Sequence, residues 1–211
     1  MADLVPGIYA ALQSGLAIGV PGLVYRTDLA VHILFPDGAY RYDWPDQGLI
    51  GDFNYDRAKN ASFWGRWRGD GSTVEIERPD ASLRFAVESD AIVDENGARF
   101  VHLPDEDGTD LTGLWLREAS ASDKPRITFL EGERFEIAGG LLGLIAEPHF
   151  VADAGPLQGR SLFEWPDGGG TYERDSCTLI LRRDDGAVLH MLALASPNRM
   201  RLGYTWFGRA G

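Results

Sequence analysis

Val74 and Ile76 alternate with Glu75 and Glu77, and Leu83, Phe85 and Val87 alternate with Arg84 and Glu88. A two-residue period puts every apolar side chain of such a run on one face, so both segments predict strands with one buried side. Arg78-Pro79-Asp80-Ala81 supplies the turn between them. Arg183-Asp184-Asp185-Gly186 does the same later in the chain, where Asp-Gly favours a tight hairpin. Phe35-Pro36-Asp37-Gly38-Ala39-Tyr40 predicts a further hairpin. Short strands with turn signals roughly every 8 to 12 residues point to an all-β antiparallel barrel, or to packed curved sheets, rather than a parallel sheet with helices. Two short segments could be helical: Asp52 to Asn60, with an Asp or Asn cap, and Leu141 to Glu147, which Gly143 weakens.

The chain also repeats itself. Gly7-Ile8-Tyr9 matches Gly113-Leu114-Trp115 at an offset of 106, and the run from Ile33 to Gly38 matches Ile127 to Gly132 at an offset of 94. Gly65-Arg66-Trp67 matches Gly170-Thr171-Tyr172 at an offset of 105, which carries on through Val74/Leu179, Ile76/Leu181 and Arg78/Arg183 to Leu83/Val188. Ordered anchor blocks in two halves predict a tandem duplication, with one unit over 1–105 and the other over 106–211, packed together. Gly132 to Gly170 spans 38 positions against 27 from Gly38 to Gly65. An insertion is therefore expected around Gly139 to Ile145, whose apolar residues would plug a gap in the core rather than merely cap a barrel.

Composition narrows the partners. Lys and Arg number 20 against 32 Asp and Glu, a formal charge of −12, which disfavours a phosphate backbone or an anionic membrane. Cys177 is the single cysteine, so neither an internal disulfide nor a cysteine-based zinc site is expected. The start of the chain lacks the positive patch of a secretory signal, and no apolar run reaches the roughly 18 residues of a membrane span. A cytoplasmic protein is the expectation. The acidic stretch Asp105 to Asp110 reads as a solvated turn, since its spacing does not fit a calcium loop.

The order Gly-x-aromatic, Phe-x-Asp-Gly, Gly-x-Trp or Gly-x-Tyr, then two alternating strands about an Asp turn resembles lipocalin-like, or calycin-like, β-barrel proteins of bacteria. The resemblance spans most of the chain and rests on structural residues. It implies a barrel or strongly curved sheets around an apolar interior able to hold one small ligand. The chain departs from lipocalins proper by carrying the motif twice, without a disulfide.

Four histidines are the natural acid–base or metal candidates. His32 shares a face with Leu34 and pairs with Arg126 in the repeat, so the outer face is expected for it; His102 precedes the acidic turn and His149 falls in the insertion. His190 pairs with Phe85 at the offset of 105, which puts an imidazole where the first unit has a core aromatic. No two histidines share a local metal-ligand spacing, and no metal or cofactor is expected. Asp43-Trp44-Pro45-Asp46 and Glu164-Trp165-Pro166-Asp167 read as strand ends followed by Pro-Asp turns, with a catalytic carboxylate beside an aromatic wall as the sharper alternative. There is no Gly-x-Ser-x-Gly elbow and no phosphate-binding loop. The functional expectation is a binder of a small apolar molecule in an aromatic-lined cavity, with Trp67, Phe85, Trp115, Tyr172 and His190 as lining candidates. A cyclase, isomerase or dehydratase using His190 and Glu164 is the alternative, and a self-associating module, as a homodimer, is the third.

Overall fold

A computed structural model describes residues 4–18, 23–45, 48–49, 53–103, 109–118, 125–145, 151–203 and 205–211. The acidic stretch 105–108, Asp46, Asp52, Glu147 and His149 lie outside the described residues. The alternating segments form strands β1 (Gly7–Ile18), β2 (Leu23–Leu34), β3 (Ala39–Tyr42), β4 (Trp64–Gly69), β5 (Thr73–Glu77), β6 (Ser82–Glu88), β7 (Ala91–Val93) and β8 (Arg99–Leu103). Each pairs with the next, antiparallel, and β8 returns to β1 to close a barrel. The β3–β4 connection holds helix α1 (Asn54–Lys59), shorter than expected and entered from Phe53 without a side-chain cap.

The second unit repeats this plan. Strands β9 (Gly113–Arg117), β10 (Arg126–Leu130), β11 (Arg134–Ala138), β13 (Gly168–Asp175), β14 (Thr178–Arg183), β15 (Val188–Ala195), β16 (Arg199–Leu202) and β17 (Thr205–Arg209) pair in that order. The β17–β9 pairing closes a second eight-stranded ring. A ninth strand, β12 (Val151–Asp153), joins the edge of β15 that β16 leaves uncovered. By its contacts the chain divides into a unit of 1–44 with 53–105 and a unit of 45–52 with 106–211. The protein is all-β and built from two closed antiparallel barrels.

The two rings correspond strand for strand, but not at the offsets read from the sequence. Tyr9 faces His32 across β1 and β2, and Trp115 faces Ile127 across β9 and β10. Since Tyr9 and Trp115 are equivalent, His32 corresponds to Ile127, an offset of 95 where 94 was expected. The cause is the turn that follows. The 94 alignment set Gly132 against Gly38, but the pairs Leu34–Tyr40 and Phe129–Phe135 put Glu133, at φ 56°, in the position of Gly38, and Gly132 is left-handed as well, at φ 71°, one residue earlier in the turn. The next slip follows β14. Its turn closes by Arg183 N–H donating to Ala187 O, whereas Arg78 N–H donates to Ala81 O, so the second turn is one residue longer. Val74 faces Phe85, while Leu179 faces Met191, and Met191 rather than His190 is the equivalent of Phe85. A slip of one residue exchanges the faces of a strand. Thus His32 points into the first barrel, and His190 lies on the face opposite the core residues Leu189 and Met191, reversing the expectation for both.

Gly-x-aromatic positions keep the same physical purpose in both rings. A methyl group on Gly65 would collide with the Glu77 carbonyl, and one on Gly170 with the Arg182 carbonyl, the equivalent atoms of the neighbouring strands. Tyr9 OH donates to Val5 O at 2.7 Å and Trp115 Nε1 to Leu111 O at 2.7 Å, each four residues back. Gly170→Ala is expected to cost about 1–3 kcal/mol through forced strand separation, measurable as a lower denaturant midpoint; an unchanged midpoint would show that the strands relax freely.

Candidate functional site

The two barrels differ in how their interiors are filled. In the second, Trp115, Ile127, Phe129, Phe135 and Met191 form one cluster with Leu141, Leu142 and Ile145 of the insertion, the last two in helix α2 (Leu142–Ile145), and with Leu157 and Trp165. The insertion thus packs into that barrel's core. In the first barrel the buried cluster is smaller, running from Tyr9 and Leu34 through Tyr40, Val74 and Ile76 to Phe85, Ile92 and Phe100. Beside it opens a groove of about 700 Å³, which reaches from His32, Phe85 and Phe100 in the interior to a charged rim of Arg68, Glu75, Glu77, Arg84 and Glu95. Its volume falls in the usual range for small-molecule sites, about 300–1,000 Å³.

The floor of this cavity is made of rings. His32 is 4% exposed and meets Phe100 edge-on at 4.5 Å and Phe85 at 4.8 Å between centroids. Its Nδ1 is 2.7 Å from the Tyr40 hydroxyl. The tautomer of the neutral imidazole sets the direction of this bond: the phenol donates when Nδ1 is the bare nitrogen and accepts when Nδ1 carries the proton. Burial first, and the Arg78 charge second, push the His32 pKa down to about 4, with Asp94 acting the other way. Burial pushes the Tyr40 phenol well above its usual range, against the pull of Arg78. At neutral pH the floor is therefore uncharged. Higher up, Tyr42 lies under the Arg78 guanidinium at 5.3 Å, and Gln13, Asp94 and Asn96 complete the mouth. The space then passes over the rim of β5, where Arg68 pairs with Glu75 at 2.8 Å.

The duplication supplies an internal comparison. At the positions of His32, Tyr40 and Tyr42 the second barrel has Ile127, Phe135 and Ile137. Three polar rings stand where the twin unit keeps an apolar core. His32 and Tyr40 satisfy each other through their hydrogen bond, so this barrel keeps a polar pair where its twin keeps apolar side chains.

Of the residues singled out from the sequence, Phe85 lines this cavity. Trp67 packs on the same cluster but donates its indole N–H to Phe35 O at 2.8 Å. Trp115 is fully enclosed in the second barrel with Arg209 over its ring at 5.3 Å, and Tyr172 meets Phe129 edge-on at 4.8 Å. His190 is half-buried, its pKa lowered by burial and then by Arg182. Glu164 is exposed and closes a capping box with Ser161, whose N–H donates to Oε2 at 3.0 Å. Asp167 accepts the Gly139 and Gly140 N–H groups at 3.0 and 3.1 Å, which is turn chemistry. His32, Tyr42 and Arg78 were not singled out as lining residues. A strand-by-strand register, rather than a fixed offset, is the signal that finds the first two. Comparison of the chain with protein-family models, with curated proteins and with solved structures finds no match. Among the described residues, no helix is long and apolar enough to cross a membrane.

Proposed function

We propose that the first barrel is a small-molecule binding protein of lipocalin-like type, taking a compact, largely apolar ligand with a flat ring into the cavity above His32, Phe85 and Phe100. The observation that carries this reading is the contrast between the twins: one interior is filled by its own insertion, and the other opens into a groove of about 700 Å³ with a floor of aromatic rings and a charged rim. Offset or edge-on contact with those rings contributes about 0.5–1.5 kcal/mol per pair beyond area burial, which suits a planar guest. The uncharged state of His32 at neutral pH supports an apolar guest, because no buried cation has to be desolvated against it.

N-phenyl-1-naphthylamine, an uncharged dye that brightens in apolar surroundings, is the direct test. It is expected to bind saturably, and Leu83→Trp, which fills the cavity from β6 without introducing charge, is expected to weaken binding at least ~5-fold, about 1 kcal/mol. Absence of saturable uptake, or uptake indifferent to that substitution, would remove the reading.

A further inference from the structure

Of the three rings that make the floor, His32, Phe85 and Phe100, only the imidazole carries polar atoms, and its two nitrogens have different surroundings. Nδ1 is held by the Tyr40 hydroxyl at 2.7 Å. Among the described residues no hydrogen bond reaches Nε2, and Nε2 is not one of the nitrogens that the fold encloses without a partner, as it does Trp44 Nε1 and His102 Nε2. On a ring otherwise buried to 4% exposure, Nε2 is thus the polar atom left open to the groove that His32 lines. Which proton state it holds follows from Tyr40. That side chain is 0% exposed, and its hydroxyl also bonds Arg78, whose guanidinium can only donate. The phenol oxygen accepts from Arg78, so Nδ1 is the acceptor that remains for the phenol's single proton. The reverse arrangement, with Nδ1–H donating to the phenol, would enclose that O–H without an acceptor at a cost of about 1–3 kcal/mol. Nδ1 is therefore bare, and Nε2 carries the proton of the neutral imidazole.

We infer that the His32 Nε2–H is the hydrogen-bond donor of the cavity floor and selects planar aromatic guests that carry an uncharged acceptor, such as a ketone or quinone oxygen, at their buried end. This rests on the binding role proposed above and names the ligand class for it. A hydrocarbon guest strips water from Nε2–H and returns nothing, whereas a carbonyl replaces the lost bond in a surrounding of rings where it is screened least. A guest whose buried polar group can only donate would set one donor against another. The charges of the groove do not make this choice. They carry both signs and stand at the rim, where Arg68 is 73% exposed and already paired with Glu75 and Glu77, so water screens them. The twin barrel has no such donor, since Ile127 and Phe135 replace the His32–Tyr40 pair. Tyr40 acts as a positioning residue: it fixes which nitrogen faces the guest with a proton.

Displacement of bound N-phenyl-1-naphthylamine by 2-acetylnaphthalene and by 2-isopropenylnaphthalene tests this, because the two differ only in C=O against C=CH₂. Their ratio within one protein cancels any change in dye affinity. The ratio is expected to favour the ketone at least ~5-fold more in the unaltered protein than in His32→Phe, which keeps a flat ring on the floor and removes the donor. Tyr40→Phe takes away the proton that keeps Nδ1 bare and is expected to narrow the ketone's advantage. Histidine ¹⁵N NMR at pH 7 supplies a readout that packing alone would not move: Nε2 protonated and Nδ1 bare in the unaltered protein, with a larger share of Nδ1–H in Tyr40→Phe. A bare Nε2 in the unaltered protein, or a ratio that His32→Phe leaves unchanged, overturns the donor role and leaves the cavity reading intact. Should His32→Phe not fold, the NMR signals of the unaltered protein decide alone. Failure of the dye to bind saturably overturns both.

Discussion

Asp56→Ala is expected to remove about 3–5 kcal/mol of stability, the largest effect of any single substitution considered for the first barrel. Arg41 and Asp56 are 1% and 3% exposed, joined by Nε to Oδ2 at 2.9 Å and Nη2 to Oδ1 at 3.3 Å. Arg41 sits on β3 with its side chain on the outer face, between Tyr40 and Tyr42, and α1 brings Asp56 over it. The same carboxylate accepts from Asn60 at 2.7 Å and from the Trp64 indole at 2.6 Å, while Arg41 also donates to the Trp44 carbonyl at 3.1 Å. Burial would raise the Asp56 pKa, but the hydrogen bonds from Arg41, Asn60 and Trp64 and the Arg41 charge hold it below the ordinary carboxylate range. The cost of the substitution lies mainly in what it strands: a guanidinium enclosed by Phe63 and Trp64 with no counter-charge. Arg41→Met with Asp56→Leu is therefore expected to be less damaging than Asp56→Ala alone, although it changes more atoms. The depressed pKa also fixes the pH sense. The pair's contribution is full above the unfolded carboxyl value of about 3.9 and is lost as pH falls through the lower folded value. Denaturant midpoints for the two variants decide the matter. Equal losses in both would mean that the charge is not the issue.

Both one-residue slips arise in turns, where sequence matching is weakest. Period-two alternation made the strands legible, and the Gly-x-aromatic anchors made the duplication legible, because each has a single physical cause acting in both units. Gly132 and Gly38 look like the same turn glycine, yet Glu133 adopts the left-handed conformation that Gly38 supplies in the first unit. Matching by glycine identity cost one residue and sent His32 to the wrong face. Arg183 to Ala187 encloses one more residue than Arg78 to Ala81, which a constant offset cannot register, and it carried His190 to the wrong face in turn. Arg41 and Asp56 were illegible for another reason. An arginine at an outward strand position reads as solvated, and nothing in the strand pattern announces that α1 folds down on it. The insertion was better placed, since glycines around Leu141, Leu142 and Ile145 left apolar residues with no strand to belong to.

Moving His32 from the outer wall to the floor of a cavity changes what acid should do to the protein. Its folded pKa of about 4 lies below the unfolded value of about 6.5. Between those two values the unfolded chain binds a proton that the folded chain refuses, so stability falls as pH falls from 6.5 towards 4 and is complete above that window. A gap of about 2.5 pH units at ~1.36 kcal/mol each amounts to about 3 kcal/mol, an upper figure for a buried group. His32→Leu places at this position the kind of side chain that Ile127 provides in the twin. At pH 7 it is expected to be less stable than the unaltered protein by about 1–3 kcal/mol, because the Tyr40 hydroxyl loses its hydrogen-bond partner. The deficit then shrinks or inverts by pH 4.5, since the variant no longer has a proton to exclude. Carboxylates contribute little to the slope above pH 5, so midpoints at pH 7, 6 and 5 separate the histidine from the acids. A wild-type stability that stays level across that window, or a variant that loses stability in parallel with it, would mean the imidazole is charged or solvated in the folded barrel. The cavity floor would then be a different chemical surface from the neutral one that the proposed ligand requires.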